Sequence, residues 1–431
     1  MSAEGIGFAA IAGLLALLAL GCPVGLAMIL AGAVGFSAIV GPGPALTVLE
    51  RSTEAVVTNH GFTIIPLFLL MGALAARAGL SRDLFEAARR ATGRWPGGLA
   101  VAGVTASAGF AAVSGSSLAT ASTMTRVAWP EMQRLGYDPR LAAGSLAAGG
   151  TLGIMIPPSV ALMLYALITG ESVGEMFLAG LLPGLLGYAL YVGCIAVMAR
   201  RWQARGDLAP AAGGWGRAAR QAAPVVGLFA LVMGGLYGGV FTPVEAGGAG
   251  AALALILAVA RGMRLAGLRA ALAETMAVTA GIFLILIGAE VFGYLLSVSQ
   301  LSPALAEMVG EAGLGPYGLL LAILVFYLLL GCVMESLAMI LLTVPIFHPL
   351  IVAAGLDPVW FGILAVVAVE TGLISPPVGM NLYVVRAGAP ALAMGTVMTG
   401  VLPFVLTDVF RLAILVAVPG LSLWLPGVLG P

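Results

Sequence analysis

Charged residues are scarce in this sequence, and lysine is absent from it. Aspartate, glutamate, lysine and arginine make up 9% of the 431 residues, and all 19 basic residues are arginine. A soluble domain carries about 25% charged residues, so this chain could not solvate its own surface. Without lysine a phosphate-binding Gly-Lys-Ser/Thr loop cannot form, which excludes ATP hydrolysis by this chain. No basic tract indicates a nucleic-acid partner.

Cysteine and histidine are also rare. The sequence has three cysteines, none of them in a C-x-x-C pair, and two histidines that lie far apart, His60 and His348. This scarcity argues against a disulfide framework and against a zinc site. No nucleophile–base pair or cluster of metal ligands is evident, so we expect no cofactor and no enzyme activity.

Apolar and small residues are abundant instead. Hydrophobic residues form 61% of the chain, which also contains 61 glycines. Apolar runs recur from end to end, for example at Ile6–Leu20 and Leu178–Met198. A membrane-spanning helix needs about 20 such residues, and glycine lets helices approach closely in lipid. These features predict an all-α protein that crosses the inner membrane, a lipid bilayer, several times.

Arginine clusters predict the topology, because arginine collects in cytoplasmic loops. Segments 77–94, 200–220 and 261–269 hold such clusters and are predicted to be cytoplasmic, the last two as short amphipathic helices. Two acidic loops, 171–175 and 307–311, are predicted to lie outside. The spans are then roughly 6–21, 23–40, 60–77, 141–169, 176–199, 222–241, 245–260, 272–298, 358–385 and 391–419.

Two remaining stretches, 99–129 and 317–347, must each begin and end on one side of the membrane. Each has two apolar limbs of about 12–15 residues, too short to span, around a small or polar tip. We interpret both as re-entrant hairpins, the first entering from the cytoplasm and the second from outside.

The two hairpins belong to an internal repeat. Prolines and glycines of the first half align with those of the second half at an offset of 219 residues. The aligned pairs include Pro130 with Pro349, Gly153 with Gly372, and Pro157-Pro158 with Pro376-Pro377; Gly180 and Pro183 match Gly400 and Pro403 at an offset of 220. Inverted repeats with helices broken at corresponding places are typical of secondary transporters, whose site lies at the repeat interface.

The hairpin tips place polar groups at predicted mid-membrane depth. The first tip, Ala112–Thr120, could bind an anion at the N-terminus of its returning limb or a hard cation such as Na+ through carbonyls and hydroxyls. The second tip, Gly331–Ser336, contains Glu335, and an acid inside an apolar stretch suggests function. Alternatively, the small residues only allow tight packing, and backbone amides satisfy Glu335.

The paired prolines predict two broken helices, 141–169 and 358–385. Two consecutive prolines remove two amide donors and unwind a helix, and the freed carbonyls could help to coordinate Na+. A plain proline kink is the alternative. Glu290, within the span 272–298, could be a structural partner or a proton site, and the sequence does not decide between them.

Six stretches carry a family resemblance that extends over essentially the whole chain. They are Ile65–Gly72 (IPLFLLMG), Ser114–Ser117 (SGSS), Ala148–Ser159 (AGGTLGIMIPPS), Phe177–Gly184 (FLAGLLPG), Phe241–Ala246 (FTPVEA) and Gly372–Asn381 (GLISPPVGMN). In combination they resemble the large membrane subunit of tripartite ATP-independent periplasmic (TRAP) transporters. Ser375 stands where the family often has threonine, and it keeps the hydroxyl.

The resemblance implies an elevator mechanism, in which a transport domain of both hairpins and both broken helices slides against a scaffold. It also implies Na+ as the coupling ion, a small four-helix membrane subunit that is not fused to this chain, a periplasmic substrate-binding protein, and an organic acid as substrate. The predicted domains are 1–60 (N-terminal scaffold), 61–220 (repeat 1), 221–271 (linking scaffold) and 272–431 (repeat 2).

Candidate site residues follow from pairing each tip with its own broken helix. The predicted cation-binding residues are Ser114, Ser117, Gly153 and Pro157 in one site and Gly331, Glu335, Gly372 and Pro376 in the other. The predicted substrate donors are Ser116, Thr151, Ser375 and Asn381. Arg126 and Arg386 are predicted to lie away from the midplane, so no arginine is expected there. Asn381 could instead only satisfy kinked backbone.

Other functions fit the sequence less well. A stand-alone Na+/carboxylate symporter of similar architecture is the nearest alternative, and the GTLGIMIPP and FTPVEA stretches favour the tripartite family over it. An intramembrane serine protease would leave the second hairpin and the repeat unexplained. A channel is disfavoured because the pattern is a two-gate repeat rather than a ring.

Overall fold

The computed structural model describes residues 2–93, 95–202, 214–301, 303–304, 307, 313 and 315–429. Within these ranges the regular structure is helical and includes no strand. The helices are α1 (Ala3–Ala19), α2 (Val24–Val40), α3 (Pro42–Thr58), α4 (Ile64–Arg77), α5 (Leu80–Thr92), α6 (Gly98–Ser114), α7 (Ser117–Arg134), α8 (Pro139–Met155), α9 (Val160–Thr169), α10 (Val173–Arg201), α11 (Gly214–Tyr237), α12 (Pro243–Ala260), α13 (Leu265–Val298), α14 (Pro316–Gly331), α15 (Ser336–Ala353), α16 (Pro358–Ile374), α17 (Met380–Gly388), α18 (Met394–Ala417) and α19 (Gly420–Leu429).

Many of these helices have the length and composition of membrane spans. In the described part of the chain, 8 helical segments are long and apolar enough to cross a membrane. The helices α1, α2, α6, α14, α16 and α19 are also apolar but have only 10–17 residues. The prediction of an all-α, multi-pass membrane protein is confirmed. The proposed domain boundaries and the opposite orientation of the repeats in the bilayer stay predictions.

Glycines bring the first helices of the chain against α13. A Cβ atom on Gly25 would lie 2.6 Å from the Leu284 backbone, and one on Gly32 would lie 3.0 Å from the Phe292 backbone. The helices α2 and α13 therefore touch through their backbones, as small residues allow in lipid. The end of α13 and the helices α1–α3 share an apolar cluster around Met28.

The two predicted hairpins are helix pairs that turn at the predicted tips. The helices α6 and α7 meet at Gly115-Ser116, and α14 and α15 meet at residues 332–335. The limbs have 16 to 18 residues, longer than expected. The helix α7 continues through Pro130 to Arg134, and α15 by itself is long and apolar enough to cross a membrane. Gly115 closes the first turn with a φ of +61°, which a side chain would strain.

Each predicted broken helix consists of two helices separated by a proline pair. Residues 156–159 separate α8 from α9, and residues 375–379 separate α16 from α17. Proline lacks the amide donor that would continue the helix. Ser159 then starts α9 as a capping residue, because its hydroxyl accepts a hydrogen bond from the Leu162 amide at 3.3 Å.

Three local expectations differ from the structure. Segment 261–269 does not form a separate amphipathic helix, because residues from Leu265 onward continue into the 34-residue helix α13. Residues 42–58, which had no assigned element, form the amphipathic helix α3. In segment 200–220, Arg200 and Arg201 end α10, residues 203–213 lie outside the described ranges, and residues 214–220 form the start of α11.

Candidate functional site

A cavity of about 910 Å³ lies where the two hairpin tips approach each other. Its walls come from α4, the first hairpin, α13, the second tip and α17. Its polar lining residues are Ser114, Ser116, Ser122, Thr123, Arg126, Glu274, Thr275 and Glu335. The cavity therefore runs from the tips toward Glu274, which pairs with Arg77 at 2.9 Å in the segment predicted to be cytoplasmic.

The first tip gathers several oxygen atoms around Gly153. The hydroxyls of Ser114 and Thr120 lie 2.8 Å apart. The position of a Cβ on Gly153 would lie 3.3 Å from the Thr120 hydroxyl and 3.4 Å from the Ser116 carbonyl. A side chain at position 153 would therefore crowd these oxygens. Hydroxyl and carbonyl oxygens are the ligands that hard cations prefer, so this set fits Na+.

The second tip is organised by Glu335. Its carboxylate accepts hydrogen bonds from the backbone amides of Leu337 at 3.0 Å and Ala338 at 3.1 Å, and so caps α15. The Ser336 hydroxyl donates to the same carboxylate at 3.2 Å. Backbone amides thus satisfy part of this acid, as the structural alternative required, while Glu335 also lines the cavity.

The second broken helix touches its hairpin through glycines. A Cβ on Gly372 would lie 2.6 Å from the Gly331 Cα atom. Past the break, a Cβ on Gly379 would lie 2.9 Å from the Ser375 carbonyl and 3.1 Å from the Leu373 carbonyl. Gly331 and Gly372 are therefore in direct contact. Beyond them, carbonyl oxygens converge at the break next to the half-buried Pro376.

One contact joins residues that the sequence had assigned to different sites. The Asn381 side-chain amide, at the start of α17, donates to the Ser117 hydroxyl at 2.9 Å and to the Ala147 carbonyl at 3.2 Å. Ser117 begins α7 of the other repeat. The second half of one broken helix therefore packs against the hairpin of the opposite repeat, in addition to the predicted pairing of each tip with its own broken helix.

Several other residues singled out in the sequence lie apart from this contact. The Ser375 hydroxyl donates to the Thr371 carbonyl at 2.7 Å, within its own helix. Buried Pro157 lies in the first break. Arg386 and Glu290 are exposed, and Glu290 lines a separate cavity of about 370 Å³ between α13, the end of α9 and α15. Their roles, and those of the predicted cation and substrate residues, stay predictions.

A buried polar network was missed by the sequence reasoning. It consists of Thr151, Tyr191, Glu370, Asp408 and Arg411, all 0% exposed. The Thr151 and Tyr191 hydroxyls lie 3.1 Å apart, and Tyr191 donates to Asp408. Arg411 lies 3.6 Å from Asp408 and donates to Glu370 at 3.0 Å.

One member of this network, Arg411, is a buried arginine that the sequence reasoning did not consider. The expectation that no arginine lies at the midplane stays a prediction. Arg411 sits inside the apolar helix α18, where its guanidinium pairs with the carboxylates of Glu370 and Asp408. A signal was present in the sequence, because Asp408 and Arg411 interrupt the predicted span 391–419 and charged residues within spans are seldom neutral to function. Thr151, predicted as a substrate donor, turns toward this network rather than the cavity.

The structure contains no cluster for a transition metal within the ranges it describes, where no group of three or more His, Cys, Asp and Glu side chains is found.

Comparison with known proteins points to one family. The family model described as "Tripartite ATP-independent periplasmic transporter, DctM component" matches residues 11–421. A C4-dicarboxylate TRAP transporter large permease protein, DctM, from Pseudomonas aeruginosa is 37% identical over 91% of this chain and 94% of its own length. A sialic acid TRAP transporter large permease protein, SiaM, from Vibrio cholerae is 33% identical over 96% and 97%.

Two further relatives widen the comparison. An ectoine TRAP transporter large permease protein, TeaC, from Halomonas elongata is 30% identical over 96% of this chain and 97% of its own length. The solved structure of the YdaH transporter of Alcanivorax borkumensis, described as having an unusual topology, has a TM-score of 0.63 at 20% identity and covers 91% of this chain and 90% of its own. That likeness concerns the fold alone.

Proposed function

The chain belongs to the tripartite ATP-independent periplasmic (TRAP) transporter family, as its large membrane subunit of the DctM type, and from that premise we propose that it imports an organic acid together with Na+. It is a multi-pass protein of the bacterial inner membrane. Its relatives are permease subunits rather than enzymes. The coupling ion, the substrate class and the mechanism are the parts that we propose.

The observation that carries this proposal is the cavity shared by both hairpin tips. Ser114 and Ser116 of the first tip and Glu335 of the second line the same space. A site formed by both repeats can be opened to one side of the membrane or the other when the repeats move against the scaffold, which is how inverted-repeat transporters work. The cavity is also large enough for a small organic acid.

Na+ would be held by the oxygens at the tips. The Ser114 hydroxyl, the Ser116 carbonyl and the Thr120 hydroxyl converge beside Gly153, and the carbonyls around Gly379 offer a second set. A bound Na+ supplies positive charge at mid-membrane depth. This charge would compensate that of the incoming acid, because an unpaired buried charge is very costly.

The substrate carboxylate would lie in the cavity between Ser116 and Arg126. Both residues line the cavity, and Arg126 is held in place by the Ser122 hydroxyl, to which its guanidinium donates at 2.8 Å. Arginine recognises carboxylates through paired hydrogen bonds. The names of the relatives, for C4-dicarboxylates and sialic acid, support an organic acid as the class.

The moving unit would comprise both hairpins and both broken helices. The backbone contacts between α2 and α13 would form part of the static scaffold. Partners follow from the family: a small permease subunit that braces the scaffold, and a periplasmic binding protein that delivers the acid and selects it.

Uptake into proteoliposomes tests this function. Purified large and small subunits, with the cognate binding protein, are assayed with a panel of radiolabelled dicarboxylates, keto acids and sialic acid. We expect uptake of one acid class only when a Na+ gradient and the binding protein are both present. Equal uptake without Na+ would defeat the coupling, and equal uptake without the binding protein would identify a stand-alone symporter.

A further inference from the structure

The buried network joins equivalent positions of the two repeats. The offset of 219 residues places Thr151 on Glu370, and the offset of 220 beyond the insertion places Tyr191 on Arg411. Thr151 contacts Tyr191 in the first repeat, and Glu370 contacts Arg411 in the second. Two corresponding contacts therefore lie side by side, and Asp408 connects them by touching both Tyr191 and Arg411.

These contacts lie close to the two helix breaks. Thr151 is on the last turn of α8, which ends at Met155, and Glu370 is on the last turns of α16, which ends at Ile374. Each lies six residues, or almost two helical turns, before the first proline of its pair. A link between Thr151 and Glu370 consequently fixes the two breaks relative to each other.

The network has little freedom to rearrange. It is fully buried, so a broken contact could not be replaced by one to water and would leave a polar or charged group unpaired. The wall behind Arg411 is backbone, since a Cβ on Gly187 would lie 2.0 Å from its Nη1 atom. The guanidinium is thereby confined between this wall and the two carboxylates.

We propose that Tyr191, Asp408 and Arg411 are positioning residues. They hold the break between α8 and α9 and the break between α16 and α17 in a fixed position relative to each other, here called their register. The oxygen sets at the two tips then bind Na+ together rather than independently. The link to the tips rests on the proposed Na+ coupling. The register itself depends only on the contacts of the network.

The first test removes one hydroxyl from the network. Tyr191→Phe keeps the ring, which packs edge-on against Phe404 at 5.5 Å, and deletes the bridge from Thr151 to Asp408. We expect the Na+ concentration for half-maximal uptake to rise about tenfold, the effect of losing one hydrogen bond to a charged group. The steepness of the Na+ response should fall, while the maximal rate stays within about twofold of wild type, because Tyr191 is fully buried and does not line the cavity.

The matched control is Tyr188→Phe on the same helix. The Tyr188 hydroxyl lies 2.9 Å from the Thr105 hydroxyl, a contact confined to the first repeat. Its loss should leave the Na+ response unchanged. Equal Na+ responses in the two phenylalanine variants would overturn the positioning role.

A second test does not depend on transport. Thr151→Val and Glu370→Gln, singly and together, are compared by thermal unfolding in detergent. Distant substitutions with no shared partner add in free energy, whereas a network should make the pair clearly non-additive. Additive losses would refute the link. If wild-type uptake does not require Na+, the proposed coupling fails and this unfolding cycle alone decides the register.

Discussion

A single hydrogen-bonded pair shows how residue chemistry is shared between the repeats. Ser117 and Asn381 lie at the starts of helices from opposite repeats, and the Asn381 amide also binds the Ala147 carbonyl on α8. Both side chains are buried, at 1% and 0% exposure. A substitution of either residue should therefore affect cation and substrate binding together, rather than one alone.

Ser117→Ala tests this pair. The change leaves the Asn381 amide with one partner fewer, and a neutral hydrogen bond is worth about 0.5–1.5 kcal/mol. We expect the Na+ concentration for half-maximal uptake to rise by roughly twofold to tenfold. Ser145→Ala is the control, since that buried hydroxyl donates only within its own helix, to the Ala142 carbonyl at 3.0 Å. An unchanged Na+ response in a Ser114→Ala/Ser117→Ala double variant would count against the cation site.

Arg126→Gln tests the substrate carboxylate. The guanidinium lines the cavity, and a hydrogen bond to a charged group is worth about 1.5–3 kcal/mol. The substrate concentration for half-maximal uptake should rise by about one to two decades. Arg386→Gln, an exposed arginine on α17, should leave it unchanged. The reverse result, with Arg386 essential and Arg126 dispensable, would place the acid elsewhere.

Between elements, glycine contacts decide how closely the hairpins approach the broken helices. Gly331 of α14 and Gly372 of α16 touch through their backbones, and α2 contacts α13 in the same way through Gly25 and Gly32. Because lipid supplies no hydrophobic force between helices, such close packing is a main source of their association.

Gly372→Ala should separate α16 from α14. Its new methyl group would meet the Gly331 Cα atom at 2.6 Å, and backbone atoms cannot move aside as a side chain can. Overpacking of this kind costs about 1–3 kcal/mol, so the melting temperature in detergent should fall by several degrees. Gly395→Ala on α18, where nothing lies within 4 Å, is the control and should unfold like the wild type. Equal melting temperatures would show that the contact is not tight.

The topology of the whole molecule depends on arginine placement, which the structure leaves as a prediction because it contains no membrane. The ion pair of Arg77 with Glu274 and that of Arg261 with Asp83 place two arginine-bearing helix ends, those of α4 and α12, on one side of the molecule. Their common side is consistent with a cytoplasmic face, because arginine accumulates there.

Cysteine labelling tests the topology. The three native cysteines are first replaced, and then Arg82→Cys on α5 and Val240→Cys in the turn before α12 are introduced at exposed positions. With a membrane-impermeant maleimide on intact cells, position 240 should label and position 82 should label only after permeabilisation. Strong labelling of position 82 in intact cells would reverse the map.

The sequence by itself determined the class of protein, the approximate spans, both hairpin tips and both helix breaks. Each of these depends on local chemistry: apolar length sets a span, proline removes an amide donor, and a small-residue turn such as Gly115-Ser116 permits a reversal. The repeat was visible because it repeats these local signals at a fixed spacing.

The tertiary structure decided which side chains meet. Ser117 and Asn381 are 264 residues apart, and Tyr191 and Asp408 are 217 apart. An apolar helix in lipid can turn almost any face toward a neighbour, so hydrophobic periodicity does not specify its partner. Asp408 and Arg411 could have been identified as charges within a span, but their partners could not. Which helices approach closely enough to pair them is set by the packing of the complete bundle.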